Sequence, residues 1–318
     1  MTQATGAFST YDAIGNREDL GDMIFDVSPT ETPFLSAIKK KKATATNHEW
    51  QTDALTAASG VNAHIEGDDA TPVAPAATTR LGNYTQILKK HAVIPGTQEA
   101  VLKAGRKSEM AYQVARRLKE MKLDWEMSAI GTVAIGNAKV AGNDTTAREM
   151  GSVYTYVLSN ASFGTSGAVS TGDGTDLVTA GTDRDFTAAI LDATLASAYA
   201  NGGNPSMLLV SPTNKTVVGD FTAGGATRYV TTDESKLNTS IDVYVGDFHT
   251  LKVVPSRQII GDNAIALDPE YMAIAELRGM ATKDLAVTGD SIRKEITWES
   301  TLEVCNEAAH GFVFDTNG

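Results

Sequence analysis

Five histidines and one cysteine are the first residues to weigh for chemistry, and their spacing supports little of it. His48, His64, His91, His249 and His310 stand far apart without an H-E-x-x-H pair, and Cys305 has no second thiol for a metal site or an internal disulfide. His48 beside Glu49, and His249 within GDFHT, read as strand residues with ordinary hydrogen bonds. No G-x-S-x-G elbow presents a serine, and no G-x-x-x-x-G-K-[ST] loop cradles a phosphate. The stretch TGDGTDLVT at 171–179 holds one copy of the G-x-G-x-D pattern of calcium-binding β-rolls, with Asp173 and Asp176 as oxygen ligands. Such rolls close their coordination spheres by stacking repeats, so a single copy reads as a solvated loop. Glu66, Asp68 and Asp69 in IEGDDATP look like paired catalytic carboxylates by type only. No apolar pocket surrounds them to shift a pKa, and they read as polar contacts or solvated tips.

Charge is the second chemical signal. The chain carries 27 basic and 39 acidic side chains, a net −12. Residues 1–149 hold 17 basic and 18 acidic groups, whereas 150–318 hold 10 and 21, so the second half carries almost the whole deficit. Affinity for nucleic acid scales with the cations available to displace counterions, so any contact with DNA is expected to be local and nonspecific. The candidates are the run Lys39, Lys40, Lys41 and Lys42 and the basic stripe from Lys103 to Lys122 that includes Arg116 and Arg117. Aromatic residues for base stacking are not interleaved with them. A solvated face, or pairing with the acidic half of a neighbouring subunit, competes with phosphate contact.

The elements that would position these groups read as follows. Residues 17–42 suggest two short helical pieces divided at Ser28-Pro29, the second opened by Thr32-Pro33 and carrying Phe34, Leu35 and Ile38. From His48 to Pro95, two strand-like ends (HEWQTDAL and TRLGNYTQILKKHAVIP) flank a small, polar, Gly- and Pro-broken middle. Folded back as an open hairpin, that segment could project on the order of 60 Å at roughly 3.3 Å per residue, with no partner in its own subunit. From Glu99 to about Ile130, Met110, Ala111, Val114, Leu118, Met121 and Trp125 form one helical stripe, with Gly131 and Gly136 as stops. A helix of that length is a rod of about 45 Å. The Gly/Ser/Thr-rich stretch 159–182 reads as a mobile or weakly paired loop. A helix then follows with Phe186, Ile190, Leu191, Leu195 and Tyr199 on its buried side, followed by the strand SMLLV, the turn SPTN and a short helix TVVGDF. IDVYVGDF, TLKVVP, AIALDP, YMAIAEL, DLAVT and SIRKEITWESTLEVCN alternate like antiparallel strands. The class is α+β, in one large or two ordinary domains. The start of the chain shows no signal-peptide pattern, and no run of about 18 apolar residues occurs, so no membrane association is expected.

The motifs DMIFDVSPTETPFLSAIKK, HEWQTDAL, IEGDDATP, RLGNYTQI, GTQEAV and AGRKSEMAYQVARRLKEMKLD cover residues 17–124 almost continuously. Together they resemble the major capsid proteins of tailed bacteriophages, and the later SPTNK and VGDFHTLKVVPSR look like the same group. The resemblance implies the fold shared by tailed-phage and herpesvirus shells. It places an N-terminal arm at 1–44, an extended hairpin loop at 45–99, and a first part of the peripheral domain at 100–184. That part would hold a spine helix at 100–137 and a flexible insertion at 159–182. The axial domain would lie mainly at 185–260, and the peripheral domain would return at 261–318.

On this resemblance Phe34, Trp50, Glu66, Asp68, Asp69 and Tyr84 are expected at contacts between subunits. The implied function is structural, with no cofactor. Copies would assemble as hexamers and pentamers into an icosahedral or prolate head shell enclosing double-stranded DNA, in the cytoplasm of a host bacterium. The shell would meet a portal protein and, in some heads, a decoration protein, and helix and arm would shift together as a precursor expands. Many relatives of the fold carry a cleaved scaffolding segment; the start at Met1 directly before the arm favours a separate scaffolding protein. Two other classes stay open on the residues. A tail-tube or decoration protein would give rings, trimers or surface binding, and an α+β hydrolase would give a compact monomer or dimer with one reactive site.

Overall fold

The computed structural model describes residues 31–69, 73–131, 137–221, 242–259, 261 and 263–317. Residues 1–30 of the expected arm, Gly136, and much of the stretch between the TVVGDF helix and β8 below lie outside the described residues. In chain order the elements are α1 (Pro33–Ala37), β1 (Lys39–Lys42), β2 (Asn47–Thr52), β3 (Thr79–Tyr84), β4 (Gln86–Pro95), α2 (Gly96–Ala100) and α3 (Glu109–Ile130). Next come a 3-10 turn (Val153–Tyr156), β5 (Ala161–Ser162), β6 (Arg184–Asp185), α4 (Ala188–Ala200), β7 (Met207–Val210) and α5 (Pro212–Gly219). The chain closes through β8 (Val243–Val245), β9 (Thr250–Pro255), β10 (Ala264–Leu267), β11 (Met272–Asp284), β12 (Ser291–Val304), β13 (Gly311–Val313) and β14 (Thr316–Asn317).

Local chemistry sets the helix starts. Ser108 Oγ accepts the Ala111 N–H at 3.2 Å and caps α3, Thr187 caps α4, and Ser211 caps α5 ahead of Pro212. SPTN is therefore a helix start, where the sequence reading placed a turn. The spine helix is shorter than expected. Gly105 stands at φ +73° between α2 and α3, a left-handed conformation that breaks the run, so the continuous rod is 22 residues, about 33 Å long. Gly131 ends it as expected.

Two sheets organise the described residues. The first is four-stranded, in the order β1-β11-β12-β4, and the second six-stranded, in the order β5-β13-β10-β7-β9-β8. Both are mixed: β1 runs parallel to β11 and β7 parallel to β9, whereas the sequence pattern suggested antiparallel pairing. The segment DLAVT is not a separate strand, because β11 continues through Asp284 and turns back into β12. Residues 261–318 do not return as one block: β10 and β13 pair into the six-stranded sheet, while β11 and β12 form the centre of the other.

The main core lies where α3 crosses the four-stranded sheet. Trp125 is fully buried between Phe34, with ring centroids 6.2 Å apart, and Trp298 at 6.1 Å. Met121, Ile130, Ile274 and Leu302 complete that layer. Leu191 and Leu195 of α4 pack on Leu208, Val210, Val253 and Val313 to form the second core. Tyr199, expected on the buried side of α4, is exposed and leans on Phe248. The stretch 159–182 is weakly paired, yet tethered: Ser170 and Val178 are buried, and the Asn160 side chain donates to the carbonyls of Ala308 and His310.

Candidate assembly interface

The most exposed part of the described chain is the segment between β2 and β3. These strands pair over six residues, from Asn47 opposite Tyr84 to Thr52 opposite Thr79. Beyond them every described residue from 53 to 78 is exposed, including Leu55 at 99% and Ile65 at 82%. The segment reverses at Glu66-Gly67, where the Asp68 N–H donates to the Ile65 carbonyl and Gly67 takes φ +83°. Ile65, Glu66, Asp68 and Asp69 therefore sit at the tip, and His64 Nδ1 lies 3.8 Å from Asp68. Large apolar side chains held in water have no energetic return within the subunit.

Phe34 and Trp50, expected at contacts between subunits, are core residues of their own subunit. Phe34 is fully buried on Trp125, and Trp50 packs on Tyr156 with centroids 5.7 Å apart. The bulk and apolar character that suggested an interface are consumed by the core beside the hairpin's base. Tyr84 is half-buried at that base, opposite Asn47.

The four lysines form strand β1 at the edge of the four-stranded sheet, where a helical continuation was expected. Charged edges of this type discourage further strand pairing, which gives the run a structural purpose of its own. Lys41 Nζ turns onto Glu303 Oε1 at 2.7 Å, and Lys39 approaches Glu270 at 3.9 Å. All four strand residues are exposed. On α3, Arg116 and Arg117 both reach Glu120, at 3.2 and 2.6 Å, so part of the basic stripe is countered on its own helix.

Among the buried carboxylates that sequence reasoning missed, three stand out. Glu299 sits among Arg148, Arg278 and Thr85. Glu303 accepts from Lys41, faces His48 Nε2 at 2.9 Å, and takes the Cys305 thiol at 3.2 Å. Burial alone would raise its pKa, but these three hydrogen bonds prevail and hold it down at about 2. Glu126, on α3, is fully buried, and its Oε2 accepts the Leu35 N–H at 3.1 Å, tying α1 to the spine. Here burial prevails and lifts the carboxyl to about 7, against the pull of the Leu35 and Phe34 amides and the Ser256 hydroxyl. Glu126 could have been read from helical spacing: it precedes Ala129 and Ile130 by one turn and so shares their inward face. Most partners in the Glu299 and Glu303 clusters, Arg148, Thr85, Lys41 and His48, lie more than a hundred positions away and left no local signal.

The remaining candidates are absorbed by the fold. Asp173 accepts from Thr171 Oγ1 and from the amide and hydroxyl of Thr175, while Asp176 accepts from the Thr171 amide and hydroxyl. Their oxygens pin a turn, and among the described residues no group of three or more His, Cys, Asp or Glu is placed to hold a metal ion. His249 Nδ1 lies 3.2 Å from Asn204. His310 is fully buried, accepts the Asp268 N–H, and is pushed by burial to about 3. Burial also raises the pKa of Cys305, which quenches a thiolate nucleophile.

A protruding, unpacked hairpin, a spine helix laid across one sheet, and a second sheet with its own core define the fold of tailed-phage capsid subunits. Solved structures agree. The chain is similar to a chain of the Cyanophage A-1(L) capsid asymmetric unit, with TM-score 0.65 and 11% identity over 98% of this chain and 99% of that one. It is also similar to the capsid of a native GTA particle, computed with C5 symmetry, with TM-score 0.62 and 12% identity over the whole of both chains. The family model of the SU10 major capsid protein matches residues 3–317, and the chain belongs to that family. A curated relative, the major capsid protein of Escherichia phage Phieco32, is 37% identical over 119 residues, 37% of this chain and 34% of that protein. The match thus spans about a third of the curated relative's length.

Proposed function

We propose that copies of this chain associate as hexamers and pentamers and close into the head shell of a tailed phage, an icosahedral or prolate container for double-stranded DNA. Membership of the capsid family supports the class of function, and the exposure of every described residue between 53 and 78 is the observation that carries the mechanism. A subunit that holds Leu55, Val61, Ile65 and Val73 in water is incomplete alone and gains from a neighbour that covers them. Many such modest contacts, related by rotation, sum to a stable closed assembly. The role is structural and needs no chemical step. Assembly takes place in the host bacterial cytoplasm, with a portal protein at one vertex, a separate scaffolding protein guiding curvature, and decoration proteins as further partners.

The net acidic surface lets packaged DNA move, with Lys39, Lys40 and Lys42 of the charged edge strand as local phosphate contacts. The tie between α1 and α3 through Glu126 supports a coupled shift of arm and spine when the shell expands. Removing residues 58–78 tests the reading. The described residues among them belong to neither core, so the shortened subunit should keep its circular dichroism and melting temperature but sediment as free subunits. Normal shells from the shortened chain would overturn the proposed role of the loop.

A further inference from the structure

The cluster around Glu303 brings together two nucleophiles that the proposed shell contacts leave unused. Lys41 Nζ lies 2.7 Å from Glu303 Oε1 and 3.6 Å from Cys305 Sγ, and the Cys305 thiol donates to the same Oε1 at 3.2 Å. His48 Nε2 takes the other carboxylate oxygen at 2.9 Å, so Oε1 is left to hold the amine and the thiol side by side. Cys305 is therefore not an isolated thiol but one member of an amine–thiol pair in direct contact. The chain has no second cysteine with which it could form an internal disulfide.

The register of the four-stranded sheet makes this contact. Lys41 pairs with Ala275 and Glu303 with Ala273, two positions apart on one face of β11. An alanine at each crossing leaves the lysine stem free to pass over β11 to the strand beyond. Cys305 follows β12 directly, and its N–H donates to the Tyr271 carbonyl, which fixes the thiol at the same end of the sheet. Cys305 is half-buried and the Lys41 side chain is 46% exposed, so small solutes reach the pair. The strand β1 is an edge that pairs with β11 alone, and Lys41 and Cys305 stand 264 positions apart. A bond between them fastens that edge to the centre of the sheet and closes most of the chain into one loop.

Burial and the bond to Glu303 raise the pKa of the thiol and so slow its exchange with external disulfides, which runs through thiolate. Proximity works the other way for a partner already in contact. We infer that Lys41 and Cys305 form a covalent nitrogen–oxygen–sulfur bridge when the protein meets dioxygen. One Lys41 ammonium, one Cys305 thiol and one dioxygen molecule give Lys–NH–O–S–Cys, one water and one proton. Two N–H bonds, the S–H bond and the bond of dioxygen break, and one N–O and one O–S bond form. Nitrogen and sulfur each give up two electrons, and dioxygen accepts all four. One oxygen atom stays in the bridge; the other leaves as water with two of the three released protons, and the third goes to solvent. The chemistry stands apart from the shell reading. On that reading the bridge forms after assembly, once particles leave the reducing cytoplasm.

The test is the intact mass of the full chain, purified under nitrogen and then divided between nitrogen and air. The aired sample should gain one oxygen and lose two hydrogens, a shift of about 14 Da, and a thiol reductant should reverse it. Digestion should yield one linked peptide pair containing Lys41 and Cys305. Lys41→Arg, which keeps a cation beside Glu303, and Cys305→Ser should each abolish the gain. Equal masses in air and nitrogen overturn the inference. So do a gain of about 16 or about 32 Da confined to Cys305, which is oxidation without the amine, and a gain of about 14 Da that survives Lys41→Arg. Electron micrographs of the same preparations keep the two claims separate. The bridge without shells sinks the shell reading alone, and shells without the bridge sink this inference alone.

Discussion

Replacing Glu126 by glutamine keeps the shape of a fully buried side chain and removes its titration. The carboxyl stands at about 7 in the fold against 4.5 in its ordinary range, so between those values the native state holds the extra proton and its stability falls as pH rises. Two and a half pH units at about 1.4 kcal/mol each amount to roughly 3 kcal/mol, fully present below pH 4.5 and lost above pH 7. Glutamine still offers an oxygen to the Leu35 N–H and carries no charge to desolvate. His310, held at about 3 against 6.5, works in the opposite sense over much of the same range, so the wild-type profile alone is flattened. The informative quantity is the difference between variant and wild type, in which His310 cancels. Urea unfolding of the unassembled subunit at about pH 4 and about pH 8 measures it. The variant should gain roughly 3 kcal/mol relative to wild type between the two conditions. A difference that does not change with pH would refute the assignment of a proton to Glu126 in the fold.

Other perturbations test the remaining parts of the account. Trp125→Ala empties the space between Phe34 and Trp298 and should cost about 3–5 kcal/mol in the same urea assay, with Tyr199→Ala, on an exposed site, near zero. Lys41→Met removes a partner of Glu303, whose pKa near 2 gives stability that is present above about 4.5 and lost as pH falls towards 2; acid unfolding should therefore begin at a higher pH in the variant, and an unchanged midpoint would count against the Lys41–Glu303 pair. Ser108→Ala deletes the α3 cap and should lower stability by about 1 kcal/mol. Asp173→Asn should loosen the turn closed by Thr171 and Thr175, and added calcium should leave the wild-type melting temperature unmoved; a calcium-dependent rise would revive Asp173 and Asp176 as metal ligands.

How much of this was legible beforehand depended on the range of the interaction that set each feature. The stripe Met110, Val114, Leu118, Met121 and Trp125 announced α3, and Gly131 announced its end, because both signals lie within a few residues of the helix they control. Alternation around Trp50 and Tyr84 announced the paired base of the hairpin, and the lack of apolar spacing between them announced its unpacked tip. The start of α3 was misplaced since Gly105 takes a left-handed conformation that composition alone does not reveal. Lys39 to Lys42 looked helical by continuity with Pro33–Ala37; their extended form is fixed by β11, more than two hundred residues away. Phe34 and Trp50 were assigned to contacts between subunits because a large apolar residue in an arm or loop has the same signature whether its own core or a neighbour covers it. Only the position of Trp125 and Tyr156 decides that question. Glu299 and Glu303 depend on cations brought from Arg148, Arg278 and Lys41, and no window along the chain contains such a cluster.

The central claim is that this subunit is completed by copies of itself. Negative-stain electron microscopy beside a sedimentation profile, on protein expressed with and without its neighbouring head genes, tests it most directly. The account predicts closed shells, or hexamer and pentamer rings, in at least one of the two samples. A clean monomer near 33.6 kDa in both would contradict it.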